Sequence, residues 1–307
     1  MPRLLLIANP ASSQFTGGDH RTVARILSRS FEVEPAWPSS AEAARLIAAG
    51  AAQDGVDVVA AMGGDGIVHH VAQSLADTDV TLAVLPAGTT NVLARLLGLP
   101  KSAVPAARLV AGAHEVAAHD LLSIVSQDAN GSQRRFAAFA AGWGLDAETV
   151  ASAEAEPYRK YRFGGMHYAR HAMSTAFGKV WGRPPNVRVT AGERTADAVT
   201  VLVQFLDVYT YFGRVPLRFH PTPPEPMHVL VIEGMGVGTV PSVITRLLRG
   251  RDLGGGKLQV WTGVRSLTME ADPPVMGQAD GELIGAARRA DLALLPGALR
   301  VIVPRTR

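Results

Sequence analysis

The sequence predicts two dissimilar halves, an α/β domain built on a parallel sheet followed by a mostly antiparallel β domain. Three observations carry that prediction. Over the first 120 residues, short unbroken apolar runs alternate four times with segments of helical apolar spacing, the pattern of strands buried on both faces by crossover helices. Beyond Ala118 the apolar runs come as hairpins separated by turns rich in Gly, Asn and Pro. Between Val58 and Val71 an apolar run stops at Gly63-Gly64-Asp65-Gly66 and a helical segment follows at once, which reads as strand, tight turn and helix.

Leu4 to Ala8 is the first expected strand, closed by the turn Asn9-Pro10-Ala11-Ser12-Ser13. A helix is expected from about Arg21 to Arg29 and a strand from Phe31 to Glu34. Ser39-Ser40-Ala41-Glu42 has capping-box spacing and opens an alanine-rich helix reaching about Ala52. A strand over Val56 to Met62 delivers the glycine turn, and the helix after it carries His69 and His70. The next strand, Thr81 to Leu85, is closed by Pro86-Ala87-Gly88-Thr89-Thr90-Asn91, and a short helix through Arg95 stops at Gly98-Leu99-Pro100.

In the second half, strands are expected at Leu121 to Ser126 and Arg135 to Ala141, around an Asn130-Gly131 turn. Others follow at Asn186 to Thr190, Val199 to Phe205, Pro216 to Phe219, Met227 to Glu233, Lys257 to Thr262, Ser266 to Glu270 and Asp291 to Leu295. Helices interrupt them at Tyr158 to Phe177 and around Ser242 to Arg249. Leu299 to Pro304 is a last strand that can return to the first domain. The boundaries expected are 1–120 for the α/β domain, 121–297 for the β domain and 298–307 for the returning strand.

With 307 residues, 47% of them apolar, and a formal charge of +3, the chain is globular and has no Lys/Arg run that demands nucleic acid. The mild positive charge suits an anionic surface or an acidic substrate. Cysteine is absent, which excludes disulfides, thiolate metal sites and a cysteine nucleophile and fits a reducing cytoplasm. No segment approaches the roughly 18 uninterrupted apolar residues of a membrane span, so the expectation is a soluble protein that is at most peripheral to a membrane.

The loops at Asn9, Gly63 and Gly88 all follow strands of one parallel sheet. They therefore share its carboxyl edge, where such folds bind ligands. Glycine lets a backbone approach a ligand closely, and a helix N-terminus offers unpaired N–H groups, a geometry suited to phosphate. Asp65 is the odd member, because a carboxylate there repels phosphate unless it holds Mg²⁺, orders a water or accepts a proton. The alternative for this turn alone is an ordinary βα connection.

Asn9-Pro10, Gly63-Gly64-Asp65-Gly66, Pro86-Ala87-Gly88-Thr89-Thr90-Asn91 and Asp280-Gly281-Glu282, in that order and spacing, resemble the diacylglycerol kinase catalytic-domain family, which includes bacterial lipid kinases and sphingosine kinases. Gly142-Trp143-Gly144-Leu145-Asp146-Ala147 looks like the same family's glycine-aspartate element. The resemblance implies a nucleotide-binding α/β domain and a β-sandwich domain. It also implies ATP and Mg²⁺ as cofactors and transfer of the γ-phosphoryl group to a lipid hydroxyl, most simply that of diacylglycerol. Asn9, Pro10, Ser12, Ser13, Gly63, Gly64, Asp65, Gly66, Gly88, Thr89 and Asn91 would then contact the nucleotide, with Asp65 also at the metal. One carboxylate of Asp280-Gly281-Glu282 would accept the hydroxyl proton, with Glu282 preferred for its reach and Asp280 as the alternative; a plain type I′ turn is the structural reading.

The chain departs from the family at Ile67, at His70 and Val92, where acids are common, and at Pro223 to His228, where several members carry an Asp-Gly pair that helps hold a structural Mg²⁺. His167 and His171 have helical metal-pair spacing but no third ligand, and Arg162, Arg170, Tyr158, Tyr161 and Tyr168 around them suggest an interfacial face. The expected partner is a lipid at a membrane surface, with peripheral attachment at the inner, cytoplasmic face and a homodimer left open. A catalytically weak nucleotide- and lipid-binding sensor and a kinase of a sphingoid base or soluble acceptor are the competing readings.

Overall fold

The computed structural model describes residues 1–128, 131–154, 182–234, 236 and 239–305. The chain divides into two compact units, Met1–Leu121 with Leu295–Arg307, and Leu122–Leu294. The expected parallel N-terminal sheet and antiparallel strand-rich C-terminal part are both found.

The first unit alternates strand and helix as β1 (Arg3–Ala8), α1 (Gly17–Leu27), β2 (Glu32–Ala36), α2 (Ala41–Gln53), β3 (Val58–Gly63), α3 (Asp65–Leu75), β4 (Thr81–Pro86), α4 (Val92–Leu96) and α5 (Ala103–Ala111). The chain leaves the unit along β5 (His114–Asp128) and returns along the last strand, β16 (Glu282–Pro304). The parallel strand order is β2-β1-β3-β4-β16, with Ala8 opposite Met62 and Val301 opposite Leu82. From β1 the chain steps outward to β2 and then back across to β3, so β1 and β3 flank a topological switch point. Every residue of β3 and β4 is buried, which is why both read as unbroken apolar runs. Leu4, Leu6, Val23, Leu27, Met62 and Ile302 belong to one core.

Several boundaries differ from expectation for local reasons. Helix α1 begins before Arg21, at Gly17, because Thr16 caps it: its Oγ1 accepts the Asp19 N–H at 3.0 Å and donates to the Asp19 carboxylate at 2.8 Å. In α2 the cap is Ser40 rather than Ser39, and Glu42 pairs with Arg45 at 2.6 Å instead of closing a capping box. Helix α5 was not expected; Pro105 lies within its first turn, where a proline costs no helical hydrogen bond.

The second unit contains β6 (Gly131–Ala137), β7 (Ala140–Gly144), α6 (Leu145–Glu154), β8 (Val187–Ala191), β9 (Arg194–Ala198), β10 (Thr200–Gln204), β11 (Thr210–Phe212), β12 (Val215–Leu217), β13 (Met227–Ile232), α7 (Thr239–Leu248), β14 (Leu258–Val264) and β15 (Ser266–Ala279). An antiparallel sheet runs β14-β13-β10-β7-β15-β16, with β8 joined to β15 and β9 to β8. Its core includes Leu122, Trp143, Val203, Val229, Trp261 and Leu292. The expected strands near Ser266 and Asp291 are far longer than anticipated, and β15 continues past Pro273 and Pro274 at a break in its register with β16. The expected helix from Tyr158 to Phe177, with His167, His171 and its basic aromatic face, lies outside the described residues, as does Asn130. Among the described residues no helix is long and apolar enough to cross a membrane.

The expected single strand Arg135 to Ala141 is split into β6 and β7, and the cause is a distant side chain. Asp280 is 4% exposed, and its carboxylate accepts the Ala138 N–H at 2.7 Å, the Phe139 N–H at 2.9 Å and the Ala140 N–H at 3.2 Å. Three consecutive amides turned toward one carboxylate cannot all serve a flat ladder, so the strand breaks there. Asp280→Asn replaces one acceptor oxygen by a donor facing an N–H. It is expected to lower stability by about 1–3 kcal/mol, read as a lower denaturant midpoint, whereas an unchanged midpoint would show that the carboxylate does not hold this bend.

Candidate functional site

Three loops converge at the carboxyl edge of the first unit's sheet. After β1, the Asn9 N–H donates to the Met62 carbonyl at 3.0 Å, Asn9 Oδ1 accepts the Ala11 N–H at 2.9 Å, and the Asn9 carbonyl accepts the Ser12 N–H at 3.1 Å. That Asx-type turn folds the loop back over the end of β3. The Gln14 N–H then donates to the Ala87 carbonyl at 2.9 Å, and the Ala87 N–H to the Gly63 carbonyl at 2.8 Å. Ser13 Oγ and Thr89 Oγ1 lie 2.8 Å apart and share a hydrogen bond. The expected contact residues Asn9, Pro10, Ser12, Ser13, Gly63, Gly64, Asp65, Gly66, Gly88, Thr89 and Asn91 are all carried by these loops and the first turn of α3.

The glycines there differ in purpose. A Cβ on Gly88 would stand 2.5 Å from Gly64 Cα, and one on Gly63 would stand 2.9 Å from Ser12 Oγ and closer still to Ile67. Positions 63 and 88 therefore require glycine for the loops to touch at all. A Cβ on Gly64 would find its nearest neighbour, Gly88 Cα, at an ordinary 3.5 Å. Gly64 is the N-cap of α3 and supplies no side-chain cap, and a helix N-terminus is a place where backbone N–H groups suit an anion.

Asp65 opens α3, and its Oδ1 accepts the Leu93 N–H of α4 at 3.4 Å. Asn91 is buried at φ +47°, with Oδ1 accepting the Gly88 N–H at 3.1 Å and Nδ2 donating to the Gly88 carbonyl at 2.7 Å. Its amide thus closes the turn on itself, and its part in the site is to hold Gly88 in place. His70 lies on α3 with its ring 5.1 Å from that of His69.

In the second unit, Asp280 and Gly281 form the two-residue turn between β15 and β16, at φ +56° and +84°, with Ala279 opposite Glu282. Positive φ at both positions is the type I′ geometry that Asp-Gly favours. The two acids part company within it. Asp280 folds inward onto the bend at Ala138, and Glu282 stands half-buried at the start of β16.

A buried polar network that motif reading did not find lies beside this turn. Asp146 Oδ2 accepts from Tyr209 Oη at 2.6 Å and from Gln278 Nε2 at 2.6 Å, while Gln278 Oε1 accepts the Gly281 N–H at 2.8 Å. Burial pushes the Asp146 carboxyl above its ordinary pKa, outweighing the two hydrogen bonds that favour its charge. Burial, followed by the negative charge of Asp146, raises the Tyr209 phenol well above its usual range, so it remains a donor. Asp146 sits in the Gly142–Ala147 element whose pattern was visible in the sequence. Tyr209 and Gln278 carry no local signal, because they stand 63 and 132 residues from Asp146 and only the fold brings them to it.

Comparison with known proteins addresses the first unit most directly. The Diacylglycerol kinase catalytic domain family matches residues 3–124. A diacylglycerol kinase of Mycobacterium tuberculosis (strain H37Rv) is 35% identical over 141 residues, which is 45% of this chain and 45% of that protein, so the chain spans about half the length of the curated relatives it matches. A crystal structure from Bacillus anthracis str. Sterne, assigned to a diacylglycerol kinase, superposes with TM-score 0.75 at 22% identity, covering 98% of this chain and 96% of that one. Yeast NADH kinase superposes with TM-score 0.54 at 11% identity, covering 99% of this chain and 84% of that one, a likeness of fold. Over residues 3–124 this chain is similar to the diacylglycerol kinase catalytic-domain family.

Proposed function

We propose that the chain is an ATP-dependent lipid kinase that transfers the γ-phosphoryl group to a lipid hydroxyl, with diacylglycerol as acceptor and phosphatidic acid as product. The observation that supports this most is the backbone contact of Gly88 with Gly64 at the open N-terminus of α3, on a stretch matched by the kinase family. A side chain on Gly88 would drive the two loops apart, and the helix N-terminus they frame is suited to phosphate oxygens. Ser12, Ser13 and Thr89 add hydroxyl donors at the rim.

Phosphoryl transfer asks a protein for alignment, for stabilisation of developing charge and for a proton acceptor. The acceptor oxygen bonds to the γ-phosphorus, the bond from that phosphorus to the bridging oxygen breaks, ADP leaves with the electron pair, and the hydroxyl proton passes to a carboxylate. Asp65 is the acid at the phosphate-binding turn. Mg²⁺, when bound, would shield the phosphate oxygens. Among the described residues no three His, Asp or Glu side chains gather, so phosphate, water and Asp65 would share the ion. For the proton we assign Glu282, since both Asp280 oxygens are committed to the amides of residues 138–140. A lipid acceptor also asks for peripheral contact with a membrane, for which Arg249 and Arg251, exposed just after α7, offer cationic groups.

Calorimetry of Mg·ATP binding separates packing from ligand contact in the glycine turns. Gly64→Ala is expected to fold with near-native stability, its methyl meeting Gly88 Cα at an ordinary 3.5 Å, yet to bind at least about fivefold more weakly because the methyl intrudes where phosphate would approach. Gly88→Ala should instead lose roughly 1–3 kcal/mol of stability from overpacking. Native affinity in Gly64→Ala would place the nucleotide elsewhere.

With diacylglycerol in mixed micelles, Asp65→Asn should cut turnover by about 100-fold or more while melting temperature holds. Glu282→Gln should cut it by about two to four orders of magnitude with the fold intact. Native turnover in either variant removes that residue from the reaction. Sedimentation with phosphatidylglycerol vesicles should fall on raising salt and in an Arg249→Ala/Arg251→Ala double variant; binding indifferent to both would exclude an electrostatic membrane contact.

A further inference from the structure

The turn that carries Glu282 ends a hairpin whose ladder is interrupted just before it. Gly277 stands opposite Gly285 and Gln278 opposite Leu283, so β16 holds an extra residue, Ile284, at that step and forms a β-bulge. Two pairs, Gln278 with Leu283 and Ala279 with Glu282, lie between the bulge and the Asp280-Gly281 turn. On its other side β15 is fixed, because Gly277, Gln278 and Ala279 pair with Trp143, Gly142 and Ala141 of β7. Two ladder pairs beyond a bulge hold a strand end weakly. The direction of Glu282 therefore depends on what the turn is tied to.

The tie is Gln278, a buried residue whose side-chain amide is engaged at both ends. Its Oε1 accepts the Gly281 N–H at 2.8 Å, while its Nε2 donates to Asp146 Oδ2 at 2.6 Å and lies 3.0 Å from Tyr209 Oη. Asp146 is itself seated against the backbone of β7, since a Cβ on Gly142, the ladder partner of Gln278, would run into its Oδ2. Tyr209 is delivered by a segment that Gln204 clasps at its base. Gln204 Nε2 donates to the Leu206 and Asp207 carbonyls at 2.9 and 3.0 Å, and its Oε1 accepts the Phe219 N–H at 2.9 Å. Among the described residues the hydrogen-bond partners of Asp146, Tyr209 and Gln278, are both uncharged. An enclosed carboxylate with no cation beside it is costly to hold, and groups so placed concentrate at functional sites.

We propose that Gln278 is the positioning residue of the proton acceptor: locked by Asp146 and Tyr209, it holds Gly281 and so sets the direction in which Glu282 faces. This rests on the assignment of Glu282 above. None of the three side chains has to touch substrate for the effect, because a misplacement of about 1 Å at a reacting group is enough to cost about 100-fold in rate. The effect falls on kcat and leaves KM unmoved, since it changes the alignment of the acceptor and not the binding of nucleotide or lipid.

Steady-state kinetics of the full chain with Mg·ATP and diacylglycerol micelles test this. Gln278→Ala, assayed below its melting temperature, should lose about tenfold to 100-fold in kcat with both KM values within about twofold of wild type. Gln278→Glu keeps an acceptor for Gly281 but sets a second carboxylate against Asp146, with Tyr209 and Asp280 as the other titratable groups nearby. Two such acids share one proton, which raises the second pKa. The kcat of this variant should therefore be near native on the acid side and fall as pH rises through that pKa, a descending limb that wild type lacks. The double variant Gln278→Glu/Asp146→Asn exchanges donor and acceptor and should recover kcat at neutral pH, a rescue that a purely structural role does not produce. Native kcat in folded Gln278→Ala overturns the proposal, as does a double variant that folds yet stays as slow as Gln278→Glu. If Gln278→Ala does not fold, the pH profile decides, and a Gln278→Glu profile that follows wild type overturns the proposal. Native turnover in Glu282→Gln fails the assignment of the base and the positioning with it, whereas an inactive Glu282→Gln beside a native Gln278→Ala overturns the positioning alone.

Discussion

The first unit depends on two backbones coming close enough to touch. Gly64 and Gly88 lie in the turns that follow neighbouring strands, and their contact fixes how far apart the turns after β3 and β4 stand. Everything else at that edge is arranged to keep the spacing. The Ala87 N–H is held by Gly63, the Asn91 amide locks Gly88 from behind, and loop 9–16 is fastened to Ala87 and Thr89. Such hydrogen bonds are individually worth about 1 kcal/mol. Together they pre-organise a row of amides, so little ordering remains when an anion arrives.

In the second unit the governing interaction is a carboxylate acting as a backbone acceptor. Asp280 gathers three amides in a buried bend, and the neighbouring Gln278 reaches Asp146 on one side and Gly281 on the other. The turn that carries Glu282 is therefore held from both flanks. Charge-assisted bonds of this kind are stronger than neutral ones, and a buried acceptor facing three donors has little freedom to turn. Two acids separated by one glycine thus do different work: one shapes the turn, the other stands at the strand's edge.

Much of this was legible in the sequence where the physics is local. Strands β1, β3 and β4 are buried on both faces and so read as apolar runs, and the glycine turn with Asp65 announced itself by composition. Boundaries failed where a single side chain outvoted propensity, as at Thr16, which starts α1 in spite of Gly17 and Gly18. The β8–β9 hairpin hid its second strand because Arg194 to Ala198 is mostly exposed and polar. The break at Ala138 and Phe139 was illegible because its cause lies 142 residues away for Ala138. Turns made from consecutive residues could be read as turns. The Asp146, Tyr209 and Gln278 network could not, since three separate elements supply it.

The path of the chain has a consequence for how the protein is made. The second unit is inserted between β5 and the last part of β16, and Ile302 is buried in the first unit's core. During synthesis the strand that pairs with β4 emerges more than 200 residues after β4 itself, so the parallel sheet keeps an open edge until then. Closing it is a contact of very high sequence separation, the kind that slows folding and leaves a strand edge available to wrong partners. The polar crown of the nascent first unit, loops and glycine turns included, can form early, whereas the sheet that supports it is finished last. Helper proteins that shield unpaired β edges would therefore find their substrate in the interval between translation of Pro86 and of Arg300.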